Sequence, residues 1–263
     1  MHLILATYRP GDLTASLAFC NRHFPARRHA RRILLVNNPE LLPAAKAIAG
    51  RWEVVAGSND FGEFSAWQEG LDHLGGDRGP VMFANDTVNT HRHFTWFRVA
   101  ALRRAIAAAQ GASIVGFCDK LDGDLRIAGM PVPAWVSTYC FFLTGAALER
   151  LNSTLFQPSL VRACVPGGLD EARFFSGLST DLENHLRHWL FGGRWYASGP
   201  LTHENRARMT RKAEAIIAEK ILSATCRTQA IEVVDPFVRH PFWRRLDRVW
   251  RGACRRMRIR QRT

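Results

Sequence analysis

The triplet Asn85-Asp86-Thr87 directly follows the apolar run Val81-Met82-Phe83-Ala84. A strand over residues 80–84 would therefore end on a carboxylate. In open α/β sheets, ligands bind beyond the carboxyl ends of the strands. A carboxylate there suits Mg²⁺ or Mn²⁺, which prefer oxygen and take only one or two protein carboxylates along with substrate phosphates. The same triplet also suits an Asx turn or a helix cap, a common use of Asn and Asp after a strand. The other strand ends are equally polar: Thr7-Tyr8-Arg9, Asn37-Asn38, Gly57-Ser58-Asn59-Asp60 and Asp119.

These positions depend on an alternation of short apolar runs with longer amphipathic ones, the pattern of βαβ units and a mainly parallel sheet. Strands are expected over 2–9, 33–37, 52–56, 80–84, 113–118 and 136–142. Helices are expected over 12–23, 39–49, 61–74 and 94–110. Residues 119–133 contain Gly and Pro and read as a loop over the sheet edge. A helix over 180–191, a short strand over 194–198 and a long amphipathic helix over 203–226 follow. The division this implies is a first domain of residues 1–200, a helical segment of residues 201–236 packed on it, and a basic tail of residues 237–263.

The composition is that of a soluble globular chain: 263 residues, 47% hydrophobic and 22% charged. No run approaches the ~20 apolar residues of a membrane-spanning helix, and the first residues read as a strand rather than a signal peptide, so a cytoplasmic protein is expected. The six cysteines are scattered without zinc-site spacing, so free thiols are expected. A net charge of +13 attracts polyanions, whether nucleotide phosphates, an anionic lipid surface or nucleic acid. No nucleic-acid recognition motif accompanies that charge, so no specific nucleic-acid partner is expected.

Three segments in order carry a resemblance: Gly57-Ser58-Asn59-Asp60-Phe61-Gly62-Glu63-Phe64 leading into Trp67-Gln68-Glu69-Gly70-Leu71, then Val81 to Val88, then Val136-Ser137-Thr138-Tyr139-Cys140-Phe141-Phe142-Leu143. Together they resemble GT-A glycosyltransferases, and more closely the rhamnan-synthesis F proteins of bacterial polysaccharide assembly. The resemblance covers about residues 1–200. It implies a Rossmann-like nucleotide-diphospho-sugar transferase fold, a nucleotide-sugar donor and a bacterial surface-polysaccharide or lipid-linked glycan acceptor. Thr7, Arg9, Asn38, Asn59 and Asp60 would line the nucleoside pocket, with Asp60 at the base edge or ribose. Asn85 and Asp86 would face the diphosphate, Asp86 in the place of the last aspartate of Asp-x-Asp and holding a divalent Mn²⁺ or Mg²⁺. Here that motif departs from the family, since position 84 is Ala and position 85 is Asn. Asp86→Ala is expected to abolish donor binding or turnover and to leave the fold intact, since a strand-end carboxylate bound to metal is not a packing residue.

The resemblance also implies an inverting transfer whose general base is Asp181 or Glu183, in the acidic pair opening a late helix. Both acids equally suit capping and the helix dipole. His203, after the Gly199-Pro200 turn, would be a second metal ligand, or else a helix-start histidine with local hydrogen bonds. Trp135 and Tyr139 would offer a platform to an acceptor sugar, or else belong to the core.

The tail is rich in arginine and lacks lysine. On a helix, Phe242, Leu246, Val249, Trp250 and Ala253 share one face, a pattern suited to an anionic membrane surface. Its alternative is a solvated basic extension. Two rival functions stand beside glycosyl transfer: a non-catalytic glycan-binding or scaffold protein of the same fold, and a charge-driven nucleic-acid binder.

Overall fold

The computed structural model describes residues 1–25, 30–76, 79–88, 94–168, 170–193 and 197–260, with side chains up to residue 253 in the last helix. In chain order the elements are β1 (His2–Thr7), α1 (Leu13–His23), β2 (Arg32–Val36), α2 (Leu42–Ile48), β3 (Glu53–Ala56), α3 (Glu63–His73), β4 (Val81–Asn85) and α4 (Trp96–Ala108). There follow β5 (Ser113–Lys120), β6 (Arg126–Ile127), β7 (Met130–Pro131), β8 (Ala134–Leu143), α5 (Gly145–Arg150), α6 (Pro158–Cys164) and α7 (Thr180–Phe191). The chain closes with α8 (Arg206–Thr228), β9 (Glu232–Val234), α9 (Pro236–Arg239) and α10 (Pro241–Arg260).

Seven strands form one sheet in the order β3-β2-β1-β4-β8-β5-β9. All neighbours are parallel except β8, which runs antiparallel to both β4 and β5. The reason for a mixed, mainly parallel sheet is visible in the sequence: β1, β2 and β4 are apolar at nearly every position, as strands covered on both faces must be. Alternate residues serve opposite layers. Ile4, Ile33, Phe83 and Phe141 face one cluster, covered by α3, α5 to α8 and the 125–136 segment. Leu5, Leu34, Met82 and Phe142 face the other, covered by α1, α2, α4 and α9.

The segment read from sequence as a plain loop, 119–133, contains the β6–β7 hairpin. It pairs with the chain just before α7, since Ala128 N–H donates to Gly177 O at 2.7 Å and Ser179 N–H to Arg126 O at 3.0 Å. β9, α5 and α6 were not anticipated, because three to seven residues carry too little periodicity to read. Of the strand expected over 194–198, residues 194–196 lie outside the described ones, and Ala197 and Ser198 form no strand.

The basic C-terminal helix is docked. Asp247 is fully buried and its carboxylate meets Thr95 Oγ1 at 2.6 Å, Arg98 at 3.4 Å and Arg251 at 2.8 Å. Thr95 is the N-cap of α4, so the carboxylate also sits against the positive end of that helix. Trp243 packs on Trp96 and Phe97, and Trp250 on Phe97. Much of the apolar face read from sequence therefore points outward: Phe242, Val249 and Trp250 are 64%, 66% and 52% exposed, beside Trp96 at 65%.

Candidate functional site

The carboxyl ends of β1, β2 and β4 and the β3–α3 turn converge on one side of a cleft of about 690 Å³, and α8 closes the other side. The β1 end gives Thr7, Tyr8 and Arg9, β2 gives Asn37, the turn gives Asn59 to Glu63, and β4 gives Asn85, Asp86 and Thr87. From α8 come Arg208, Arg211, Lys212, Glu214 and Ala215. A smaller hollow of about 360 Å³ lies at the opposite end of the sheet, by Met1, Pro80 and Phe142. In an open α/β sheet the carboxyl-end cleft is the ligand site.

Local structure explains why each motif residue is present. Asn59 (φ 60°) and Gly62 (φ 57°) both take left-handed backbone, which Asn tolerates and Gly adopts without strain. They bend the chain from β3 into α3. Trp67 Nε1–H donates to Ala84 O at 2.9 Å, fixing α3 under the end of β4. Gln68 bonds Ser153 O and Leu155 N–H, both at 2.9 Å. Glu69 accepts the Ser58 hydroxyl at 2.5 Å and its amide. A side chain on Gly70 would meet Ile4 at 2.7 Å. Trp67, Gln68 and Gly70 thus seat α3, and Glu69 holds the turn before it.

Asp86 is 5% exposed, and its Oδ2 accepts the amides of Tyr8 at 2.6 Å and Arg9 at 2.7 Å. Burial pushes its pKa up, while the two amides and the Arg9 charge hold it back. Asn85 makes the Asx turn, its Oδ1 accepting Thr87 N–H at 3.1 Å and Thr87 Oγ1 at 2.5 Å. The β1 loop therefore hangs on the Asp86 carboxylate. The expectation that Asp86 is no packing residue is corrected accordingly.

Of the residues read from sequence, Thr7, Arg9, Asn59, Asp60, Asn85 and Asp86 come together in the cleft. Asn38, Asp181, Glu183 and His203 do not line it. Asn38 accepts Glu40 N–H at 3.1 Å and caps a short 3-10 turn. Asp181 accepts Asp124 N–H at 3.0 Å, and Gly123 (φ 125°) makes room for that carboxylate, since a Cβ there would lie 2.6 Å from its oxygen. Ser179 accepts Arg126 N–H at 2.9 Å instead of capping α7. Glu183 lies 4.0 Å from Arg187 on the same helix. His203 is exposed in a turn closed by Thr202 and Asn205, which bond each other's amides. Trp135 and Tyr139 are buried, Tyr139 against Phe94.

Two features escaped the sequence reading. Asn37, beside the expected Asn38, is 5% exposed, and its amide nitrogen donates to Gly62 O at 2.8 Å. Its Oδ1 is buried against Gly57, without a hydrogen-bond partner. Strand alternation distinguishes the pair, because the residue continuing β2 is held by the sheet. The second feature is a polar cluster under α8. Glu219 accepts the Thr138 amide and hydroxyl, both at 2.9 Å, and Lys220 lies 3.8 Å above the Trp135 ring. Asp119 accepts the Ser137 hydroxyl at 2.5 Å nearby. Burial lowers the Lys220 pKa to about 8 against the pull of Glu219 and Asp119, and raises that of Glu219.

The described cysteines are free, and burial pushes Cys20, Cys118 and Cys226 up to about 12, far from thiolate chemistry. Among the described residues, no three His, Cys, Asp or Glu side chains cluster as metal ligands, and no helix is long and apolar enough to cross a membrane.

No protein-family model matches the sequence, and no curated protein matches it either. Among solved structures, one similar chain is the mannosyltransferase PcManGT from Pyrobaculum calidifontis in complex with GDP-Man and Mn²⁺. It is 14% identical, with a TM-score of 0.39, over 87% of this chain and 74% of that one. A likeness at that level adds nothing to what the strand order and the cleft establish by themselves.

Proposed function

We propose that this protein is a glycosyltransferase that moves a hexosyl or deoxyhexosyl group from a nucleotide-sugar donor to a bacterial surface-polysaccharide or lipid-linked glycan acceptor. The observation that carries this reading is the cleft, where six residues that the family resemblance assigns to the donor converge from three separate segments. The nucleoside would lie against Asn37, Asn59 and Asp60, and the diphosphate between the β4 end and α8. In an inverting transfer the acceptor oxygen attacks the anomeric carbon, the bond to the diphosphate oxygen breaks, and a base takes the acceptor proton. The cations lining the cleft suit the charge that develops on the leaving diphosphate.

A second reading is favoured by the position of the expected base. Asp181 and Glu183 are engaged at the start of α7, outside the cleft lining, as a non-catalytic glycan-binding or scaffold protein of this fold would allow. Purified protein screened against UDP-, GDP- and dTDP-sugars separates the readings. A transferase is stabilised by one donor, by about 2.7 kcal/mol at a hundredfold excess over Kd, and slowly hydrolyses it. Stabilisation without hydrolysis or transfer supports the binding protein. Failure of every donor to stabilise it excludes a donor site.

The acceptor side of the proposal rests on α10. Exposed Phe242, Val249, Trp250 and Trp96 stand among exposed arginines 244, 245, 248 and 251, a composition suited to the headgroup region of an anionic membrane. A lipid-linked acceptor would be reached from there.

A further inference from the structure

Building on the nucleotide-sugar reading, we infer that the diphosphate is neutralised by the cationic face of α8, Arg208, Arg211 and Lys212, and not by a divalent cation. The resemblance assigns that task to a metal held by Asp86 and His203. The donor set does not fit one. Asp86 Oδ2 is occupied by two amide hydrogens at 2.6 and 2.7 Å. The positions before Asp86 are Asn85, engaged in its own turn, and Ala84, which has no ligand atom. His203 is not part of the cleft wall. Asp60 and Glu63 also line the cleft, but among the described residues no three His, Cys, Asp or Glu side chains cluster as ligands, and a metal at Asp86 would meet a carboxylate already serving the backbone, where Mg²⁺ and Mn²⁺ ordinarily draw on free carboxylate oxygens.

Across the cleft, positions 208, 211, 212 and 215 share one face of α8 by helical spacing, and three of the four are cationic. From 208 to 212 they span about 6 Å of helix axis. Arg208 is steadied by Ala197 O at 3.4 Å and Lys212 by the Trp189 ring at 5.7 Å. Each guanidinium carries five donors, so one backbone contact leaves Arg208 able to bind phosphate oxygen. Glu214, the acid of this face, has Arg162 and Arg211 as its own charge neighbours. At the β2 end and the β3–α3 turn the wall is polar and carries Asn37, Asn59 and Asp60. A cleft with Asn and Asp side chains at one wall and three cations at the other matches a nucleoside diphosphate, which has N–H or O–H groups at one end and anionic oxygens at the other.

The test is calorimetric titration of the full-length protein with UDP, GDP and inorganic pyrophosphate, in excess EDTA and again with saturating Mn²⁺. The expected result is binding in EDTA, Kd changing less than about threefold with Mn²⁺, and weakening as salt rises. Arg208→Ala and Arg211→Ala should each weaken binding at least ~10-fold, the cost of one charge-assisted contact. Both side chains are exposed on the helix, so unchanged melting temperatures are expected and exclude misfolding. Arg211→Lys should recover part of the loss. Nucleotide binding that appears only with Mn²⁺, or alanine variants that bind like wild type, overturns the inference and leaves the donor reading standing. Pyrophosphate binding in EDTA without nucleotide binding supports the cationic clamp and sinks the donor reading. No binding of any ligand in either condition overturns both.

Discussion

The Oδ2 atom of Asp86 accepts the amides of Tyr8 and Arg9 in a place where burial disfavours its charge. Two substitutions separate these effects. Asp86→Asn keeps a carbonyl acceptor and removes the buried charge, so stability at pH 7 should change by less than about 1 kcal/mol. Asp86→Ala orphans two amides and should cost about 2–4 kcal/mol. Equal losses in urea unfolding would mean that the amides do not depend on this carboxylate. Lys220 makes a pH prediction. Its folded pKa, about 8, lies below its ordinary 10.5, so between those values the unfolded chain binds the extra proton. Stability therefore rises with pH across that window. Lys220→Met should flatten the rise, as measured by Tm at pH 8, 9 and 10, and an unchanged slope would assign it to other groups.

At the scale of elements, Asp247 links α10 to α4 through Thr95 and Arg98, with Arg251 of α10 itself beside it. Removing one partner of a buried ion pair typically costs 3–5 kcal/mol, so Asp247→Ala should cost about 3 kcal/mol. The loss should be local first: hydrogen exchange of residues 241–253 should quicken before that of β1 or β4. Uniform acceleration along the chain would show that α10 is instead part of the cooperative core. The same contacts show what sequence patterning left out of this helix. Its apolar stripe, read as suited to a membrane surface, is exposed at Phe242, Val249 and Trp250, while the helix is anchored by the partly buried Trp243 and the buried Asp247. A charged residue at a docking position is invisible until its partners on α4 are known.

At the scale of the molecule, the net charge of +13 is unevenly placed. One concentration lies on α8 at the cleft and another on α10 beside exposed tryptophans. The second should bind the protein to vesicles containing phosphatidylglycerol, each arginine near an anionic surface contributing ~1 kcal/mol. Trp96→Ser with Trp250→Ser should lower co-sedimentation several-fold at fixed salt, and neutral phosphatidylcholine vesicles should bind little. Equal binding of the double variant would reduce the effect to charge alone.

The alternation of apolar runs with amphipathic segments determined the mainly parallel sheet by itself, because strands covered on both faces can be built from little else. It also placed Asn85-Asp86-Thr87 and the Asn59-Asp60 turn at strand ends, since a strand's length fixes where its carboxyl end falls. Only the tertiary structure chose Asn37 over Asn38, because which neighbour faces a cleft depends on how β2 meets the β3–α3 turn. It alone brought Arg208, Arg211 and Lys212 opposite β4, more than a hundred residues away in sequence. It also held Asp181 on the 121–133 segment. Helical spacing says which residues share a face but not what that face meets. For Asn85-Asp86-Thr87, the sequence supplied the place and packing decided the work: the carboxylate first holds the β1 loop that shapes the cleft.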